Sequence, residues 1–208
     1  KFPSKDGFTI SEKLDGVSCL LIKDDSGLKL YTRGDGTVGA DISYLAGYIK
    51  GIPKSLPNIR SSIDSGADFV ARGELILSKG DWEKYTGDFK NPRNMVSGLV
   101  NSKTLRKGIK DVQFIAYEII SQENKKSILK QLETLESLGF KTALYTVLPS
   151  FDVEKLMEIL TNFKAESEFE IDGIIVQPNI TYIRNTSGNP EYAFAFKMMI
   201  DENILPTE

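Results

Sequence analysis

Histidine is missing from all 208 residues, and that absence excludes more chemistry than any residue present. Without it there is no Ser-His-Asp triad, no Cys-His dyad and no histidine-ligated zinc. A single cysteine, Cys19, rules out a disulfide within the chain and a thiolate metal cluster, and suits a reducing compartment. No apolar run is long enough to span a bilayer and no signal-peptide pattern is seen, so no membrane association is expected. The sequons at Asn179 and Asn185 carry no weight in that setting. Acid–base and metal chemistry are left to Asp, Glu, Lys, Arg and Tyr, and carboxylates as sole metal ligands suit a hard ion such as Mg²⁺.

Charge is uneven. The net value is −3, but Lys79 to Lys110 holds eight cationic residues against three acidic ones, a local +5 that leaves −8 elsewhere. A segregated basic segment in an acidic chain is a candidate phosphate-backbone footprint, and equally a solvated basic face. The 40% hydrophobic and 26% charged fractions are those of an ordinary globular domain. The chain opens on Lys1 and stops soon after Pro206, so it reads as one domain, 1–208, of a longer protein.

Phe8 to Lys23 and Leu28 to Arg33 read as strands joined by the turn Asp24-Asp25-Ser26-Gly27. The spacing of Ile42, Leu45, Ala46 and Ile49 predicts a helix that ends near Gly51 and Pro53. Phe69 to Leu77 is a strand, and Ser78 caps a short helix. Lys90 to Asn101 is loop followed by a short helical piece, and Val112 to Ile120 is a strand. Ile128 to Leu138 is a helix closed by Gly139. Asp152 caps another with Val153, Leu156, Met157, Leu160 and Phe163 on one face. Ile171 to Gln177 and Tyr192 to Met199 are the last strands. Strands outnumber helices without alternating with them, which predicts an α+β fold of antiparallel sheets flanked by helices.

Gly34 to Gly39 matches G-x-G-x-x-G but lacks its context. The preceding strand closes a hairpin, and Pro53 and Pro57 stand where a second parallel strand of a dinucleotide fold belongs. A kinase would need an H-R-D loop, impossible without histidine. What remains is a glycine-rich loop with Arg33 at its base.

More informative are charged residues that interrupt strands: Lys13, Arg33, Glu74, Asp172 and Lys197, each flanked by apolar neighbours. Alone, Lys13-Leu14-Asp15-Gly16 is better explained by an edge lysine and a turn. Together the five comprise two amines, a guanidinium and two carboxylates converging on one cleft, an inventory for a nucleotide and Mg²⁺.

The ordered motifs make this specific. KLDG, TRGDG (Thr32 to Gly36) with TVGADIS, ARGELIL (Ala71 to Leu77), NPRN (Asn91 to Asn94), FIAYEII (Phe114 to Ile120), EIDGIIVQ (Glu170 to Gln177) and AFAFKMM (Ala193 to Met199) occur in sequence. The chain thereby resembles the adenylation (nucleotidyltransferase) domain of NAD-dependent, bacterial-type DNA ligases, from about Phe8 to Ile200. The resemblance implies a covalent nucleotidyltransferase fold with the nucleotide cleft between its sheets. It implies that Lys13 attacks the α-phosphorus of NAD, forms a lysyl-AMP intermediate, and passes AMP to the 5′-phosphate of a nick in double-stranded DNA for sealing by the 3′-hydroxyl.

By the same resemblance, Glu74 binds ribose, Asp172 and Glu74 hold Mg²⁺, Arg33 and Arg93 contact phosphates, and Lys197 stabilises charge on the α-phosphate. Adenine lies between Tyr117 and Ile175, with Ser11, Glu12 and Leu14 beside the nucleophile. Asp15, two residues on from Lys13, alternates to the same strand face and helps position that end of the cleft. Ser11 stands where the family usually has Glu, Gln177 where it has Lys, and Asn101 where it has a second Arg. The resemblance also implies an intracellular monomer acting in DNA replication and repair. The family's nicotinamide-binding module and OB-fold are not expected within this chain. An ATP-dependent DNA or RNA ligase, a capping-type enzyme, and a non-catalytic nucleotide- or DNA-binding module remain alternatives at this point.

Overall fold

The computed structural model describes residues 5–33, 38–56, 69–85, 87, 89–120, 126–181 and 192–198. Gly34 to Thr37 of the glycine loop, Pro57, Asn185 and Met199 lie outside the described residues. The fold is α+β, with two four-stranded antiparallel sheets. The first has the order β6-β1-β7-β8, where β1 is Phe8–Leu14, β6 Tyr145–Leu148, β7 Ile171–Pro178 and β8 Phe194–Phe196. The second has the order β3-β2-β4-β5, with β2 Val17–Asp24, β3 Gly27–Thr32, β4 Phe69–Ile76 and β5 Gln113–Ile119.

The expected strand from Phe8 to Lys23 is therefore two strands in different sheets. The chain changes sheet at Asp15-Gly16, where Asp15 N–H donates to the Glu170 carbonyl at 3.0 Å. A Cβ on Gly16 would stand 2.4 Å from the Leu75 carbonyl oxygen, so only glycine lets β1 run directly into the second sheet. The expected helix over Ile42 to Ile49 shrinks to a 3₁₀ turn at Ser43–Leu45. Bridges from Asp41 to Tyr31 and from Lys50 to Gln113 tie both ends to the second sheet, so the segment between is fixed by its ends and coils only locally. Ile42, Leu45 and Ile49 are nonetheless buried, as their spacing predicts.

Helix α1, Lys79–Trp82, starts at Ser78, whose side chain accepts from Asp81 N–H. Helix α2, Pro92–Val100, starts at Asn91, whose side chain accepts from Asn94 N–H, with Pro92 opening the first turn. Helix α3, Ile128–Ser137, is followed by Gly139 at φ +84°, the left-handed position that ends many helices. Helix α4, Val153–Glu166, is capped by Asp152 as expected. Its buried residues are Leu156, Ile159, Leu160 and Phe163, whereas Val153 and Met157 face outward at 62% and 44% exposure.

Two cores result. Met95, Val96, Leu99 and Val100 of α2 and Leu135 of α3 cover one face of the second sheet, on Cys19, Leu21, Ala71, Leu75, Phe114 and Ala116. Helix α4 covers the first sheet, on Ile10, Leu14, Ile174 and Val176. Ile76 and Ile115 reach from the opposite face of the second sheet into this latter core and join the layers. Leu160→Ala is expected to lower unfolding free energy by about 2–5 kcal/mol. Met157→Ala should stay within about 0.5 kcal/mol, as expected of an exposed position. Urea midpoints of the two variants check this assignment of the buried face.

Candidate active site

Strand alternation decides which side chains of β1 share a face. Ile10 and Leu14 lie in the core under α4, so Thr9, Ser11 and Lys13 take the opposite face. Across that face Lys13 is paired with Gly173, and Ser11 with Ile175 on one side and Tyr145 on the other. Lys13 Nζ donates to Asp172 Oδ2 at 3.0 Å and lies 2.9 Å from Oδ1. Lys197 Nζ donates to the same Oδ2 at 2.7 Å. Partial burial pushes the Asp172 carboxyl up, but the hydrogen bonds from Lys197 and Lys13 outweigh it and hold the group below the usual carboxylate range. Two of the five strand-interrupting charges therefore meet on a third, the Asp172 carboxylate.

Gly173 makes this meeting possible. A Cβ there would stand 2.5 Å from the Phe196 carbonyl oxygen and 2.9 Å from Lys197 Cγ. Sequence reasoning passed over this glycine, although a glycine inside a strand marks close backbone approach. Strand β6, and with it Tyr145 beside Ser11, was also missed; four residues without apolar alternation carry too weak a pattern.

The second sheet supplies Glu74 and Tyr117. Glu74 is half-buried, and burial pushes its carboxyl up to about 7 despite the nearby Arg93, a hydrogen bond from Gly16 N–H and the charge of Lys13. The Tyr117 hydroxyl lies 3.2 Å from Ser18 Oγ, and burial pushes the phenol above its ordinary range, reinforced by the charge of Glu74. Arg93 Nη1, on the first turn of α2, donates to Asp15 Oδ1 at 2.9 Å. Asp15 does not continue the alternation of Lys13 as expected. The pairing of β1 with β7 shifts register between Lys13 and Leu14, and β1 ends at Leu14, so Asp15 turns to Arg93 instead.

Other expected site residues lie elsewhere. Glu12 is 3% exposed on the α4 side of β1, where Oε1 accepts from Leu144 N–H, and burial raises its pKa. Leu14 is buried in the same core. Neither faces the Lys13 amine; the one-residue offset from Ser11 is what turns Glu12 away. Arg33 is exposed at the end of β3, held through its backbone N–H on Ser18, and makes no side-chain ion pair among the described residues. Asn101 ends α2, with Nδ2 3.3 Å from Ser97 Oγ. Gln177 pairs with Thr9 on the Lys13 face, one row beyond Ile175.

The arrangement suits an anionic nucleotide: ammonium groups beside one half-buried apolar position, Ile175, with a carboxyl and a phenol from the other sheet. A metal fits under a narrower condition. Among the described residues no group of three or more carboxylate, thiol or imidazole side chains converges, so the protein alone makes no cage. Asp172 Oδ1 receives no aligned hydrogen bond and keeps acceptor capacity. That matches Mg²⁺ held by one or two carboxylates and completed by phosphate oxygens and water.

The chain matches the family described as NAD-dependent DNA ligase adenylation domain over residues 2–200. It is 46% identical over 199 residues to a DNA ligase of Acanthamoeba polyphaga mimivirus, covering 91% of this chain and 29% of that protein. A DNA ligase of Wolbachia pipientis wMel is 32% identical over 197 residues, covering 89% of this chain and 28% of that one. The chain thus spans about three tenths of the length of these curated relatives. Among solved structures it is similar to a Lig E DNA ligase, with a TM-score of 0.53, 18% identity and coverage of 94% of this chain and 64% of that chain. It is also similar to mycobacterial DNA ligase D complexed with ATP and MES, with a TM-score of 0.52, 15% identity and coverage of 93% and 55%. At these identities the structural likeness establishes the fold.

The raised Glu74 carboxyl makes stability depend on pH. The folded state holds this proton more tightly than the unfolded chain, so the contribution is full below the ordinary glutamate value of 4.5 and is lost as pH rises through about 7. Glu74→Gln should flatten the fall in unfolding free energy between pH 5 and pH 8, measured by urea titration at both. An unchanged slope would mean that Glu74 is not the buried titrating group.

Proposed function

This chain belongs to the NAD-dependent DNA ligase adenylation domain family, and we propose that Lys13 is its nucleophile toward the adenylyl phosphate of NAD. The observation that supports this most is the convergence of Lys13 and Lys197 on the single carboxylate of Asp172. A lysine attacks only as the free amine, so its ammonium proton must leave first. Asp172 is the carboxylate hydrogen-bonded to that ammonium and fixes the position of Nζ, and the partly exposed Lys13 gives up its proton to solvent before it attacks.

The Nζ lone pair forms a P–N bond to the α-phosphorus as the P–O bond to nicotinamide mononucleotide breaks, leaving AMP on Lys13. Lys197 and Arg93 stand where negative charge on phosphate oxygens would be met by fixed cations. Mg²⁺, when held by Asp172 and Glu74, supplies Lewis-acid neutralisation of the same oxygens. Ile175 and Tyr117 bracket adenine, Ser11 lies under its edge, and Glu74 holds the ribose hydroxyls. Arg33 meets phosphate from the glycine loop.

The whole protein, on this reading, transfers AMP to the 5′-phosphate of a nick in duplex DNA, and the 3′-hydroxyl then displaces AMP to seal the strand. It acts as a monomer within the cell, where DNA is replicated and repaired. Among the described residues no helix is long and apolar enough to cross a membrane.

Intact-mass measurement tests the chemistry. Incubation with NAD and Mg²⁺ should add one AMP per chain, and Lys13→Ala should abolish the adduct. Lys197→Ala should slow its formation by about 10²-fold or more, the size of effect that follows removal of one charge-stabilising group. An adduct formed from ATP but never from NAD would overturn the cofactor assignment. Unchanged labelling of Lys13→Ala would overturn the nucleophile.

A further inference from the structure

The basic segment Lys79 to Lys110 is not one surface. Lys79 Nζ donates to the Lys164 and Ser167 carbonyls at the end of α4, at 3.1 and 3.0 Å. Lys84 is paired with Asp81, and Arg93 with Asp15. These three cations are engaged within the fold. Lys103, Arg106, Lys107 and Lys110 are exposed and make no side-chain hydrogen bond or ion pair among the described residues. From Asn101 to Lys110 there is no acidic residue at all.

The loop that carries them is anchored at both ends. Tyr44 donates through its hydroxyl to the Ser102 carbonyl at 2.6 Å, and Thr104 N–H donates to Ser102 Oγ at 3.3 Å. At the other end Gly108, at φ +103°, packs against Met95 and Tyr85, and Ile109 is buried. Three cations on an anchored loop without compensating acids, with Lys110 just beyond it, produce a concentrated positive field, and holding them there loses little entropy on binding. Helix α2 ties this loop to the candidate active site. Arg93 stands on its first turn, the loop follows its last, and the eight residue steps from Arg93 to Asn101, at 1.5 Å each, separate them by about 12 Å. That is about four base-pair rises of 3.4 Å along a duplex.

We propose that the loop Lys103–Lys107 grips the sugar–phosphate backbone of duplex DNA about four base pairs from the point where Arg93 and Lys13 engage the nick. The proposal rests on the ligase reading for its placement relative to the nick. Its contacts are to phosphate, which ammonium and guanidinium groups meet whatever the sequence, and a loop with a single apolar residue, Leu105, presents little to enter a bilayer. The loop sets affinity and register and takes no part in forming the adduct on Lys13.

The test measures binding of the complete chain to a nicked duplex from 50 to 200 mM salt, beside intact-mass adenylation by NAD. Lys103→Ala, Arg106→Ala and Lys107→Ala together should reduce the slope of log affinity against log salt by about 2.7, and lower affinity at 0.1 M by about 10²–10³-fold. Adenylation should be unchanged. A control carrying Lys126→Ala, Lys130→Ala and Lys155→Ala, on or beside α3 and α4, should keep the wild-type slope. The proposal is overturned if the loop variant retains the slope or if the control loses as much. It is likewise overturned if the loop variant is released from phosphatidylserine vesicles as strongly as from duplex. Loop-dependent duplex binding by a chain that NAD never adenylates would sink the catalytic reading and leave this surface standing.

Discussion

Two ammonium groups share one carboxylate oxygen at the centre of this fold, and most of the architecture serves to hold them there. Lys13 and Lys197 both lie within hydrogen-bonding distance of Asp172 Oδ2, although 184 positions separate them in the chain. Two like charges within about 6 Å repel by about 3 kcal/mol at an effective dielectric constant near 20, before the carboxylate offsets it. The assembly survives because β1, β7 and β8 are consecutive in one sheet, and because Gly173 lets β8 approach without a side chain in between. All three groups stay partly exposed, at 31%, 30% and 48% for the side chains of Lys13, Asp172 and Lys197. The cluster is therefore open to solvent and to an incoming anionic group.

The second constraint is the passage of the chain from one sheet to the other directly after Lys13 and Leu14. Asp15 and Gly16 form the crossing, and Gly16 N–H is the backbone donor to Glu74. The same crossing brings Asp15 against Arg93 on α2. A rim pair of this exposure contributes at most about 1 kcal/mol to stability. Its consequence is geometric: it links the Asp15-Gly16 crossing to the helix whose far end carries the exposed basic loop. Glu74 differs in kind. It is raised to about 7 chiefly by burial, so near neutral pH it exists in both protonation states and can both donate and accept.

Several features were visible in the residues themselves because their cause is local. Ser78 and Asp152 cap their helices through their own side chains, and Gly139 ends α3 through its own backbone freedom. The hairpin at Asp24 to Gly27 follows from turn chemistry. Where sequence reasoning failed, a distant partner had intervened. Bridges at Asp41 and Lys50 prevented the helix suggested by Ile42 to Ile49. Packing of α4 on the first sheet chose Ile159 over Val153 and Met157, since all three are compatible with an apolar stripe and only the sheet selects which arc is covered. The uniform basic segment also divided, because the partners of Lys79 and Arg93 lie on distant elements, whereas Lys84 is paired locally with Asp81.

By itself the sequence determined the inventory: no histidine, five charges set within or at the ends of strands, seven motifs in family order, and hence the family and the identity of the candidate nucleophile. Those properties depend on which residues are present and in what order. Only the tertiary structure decided that Asp172 is shared by two lysines, that Asp15 turns to Arg93, and that Glu12 faces the α4 core while Ser11 faces the cleft. The physical reason is register. A shift of one residue between paired strands exchanges the two faces of a sheet, and that pairing is set by contacts across more than 150 positions of chain, beyond the reach of any local pattern.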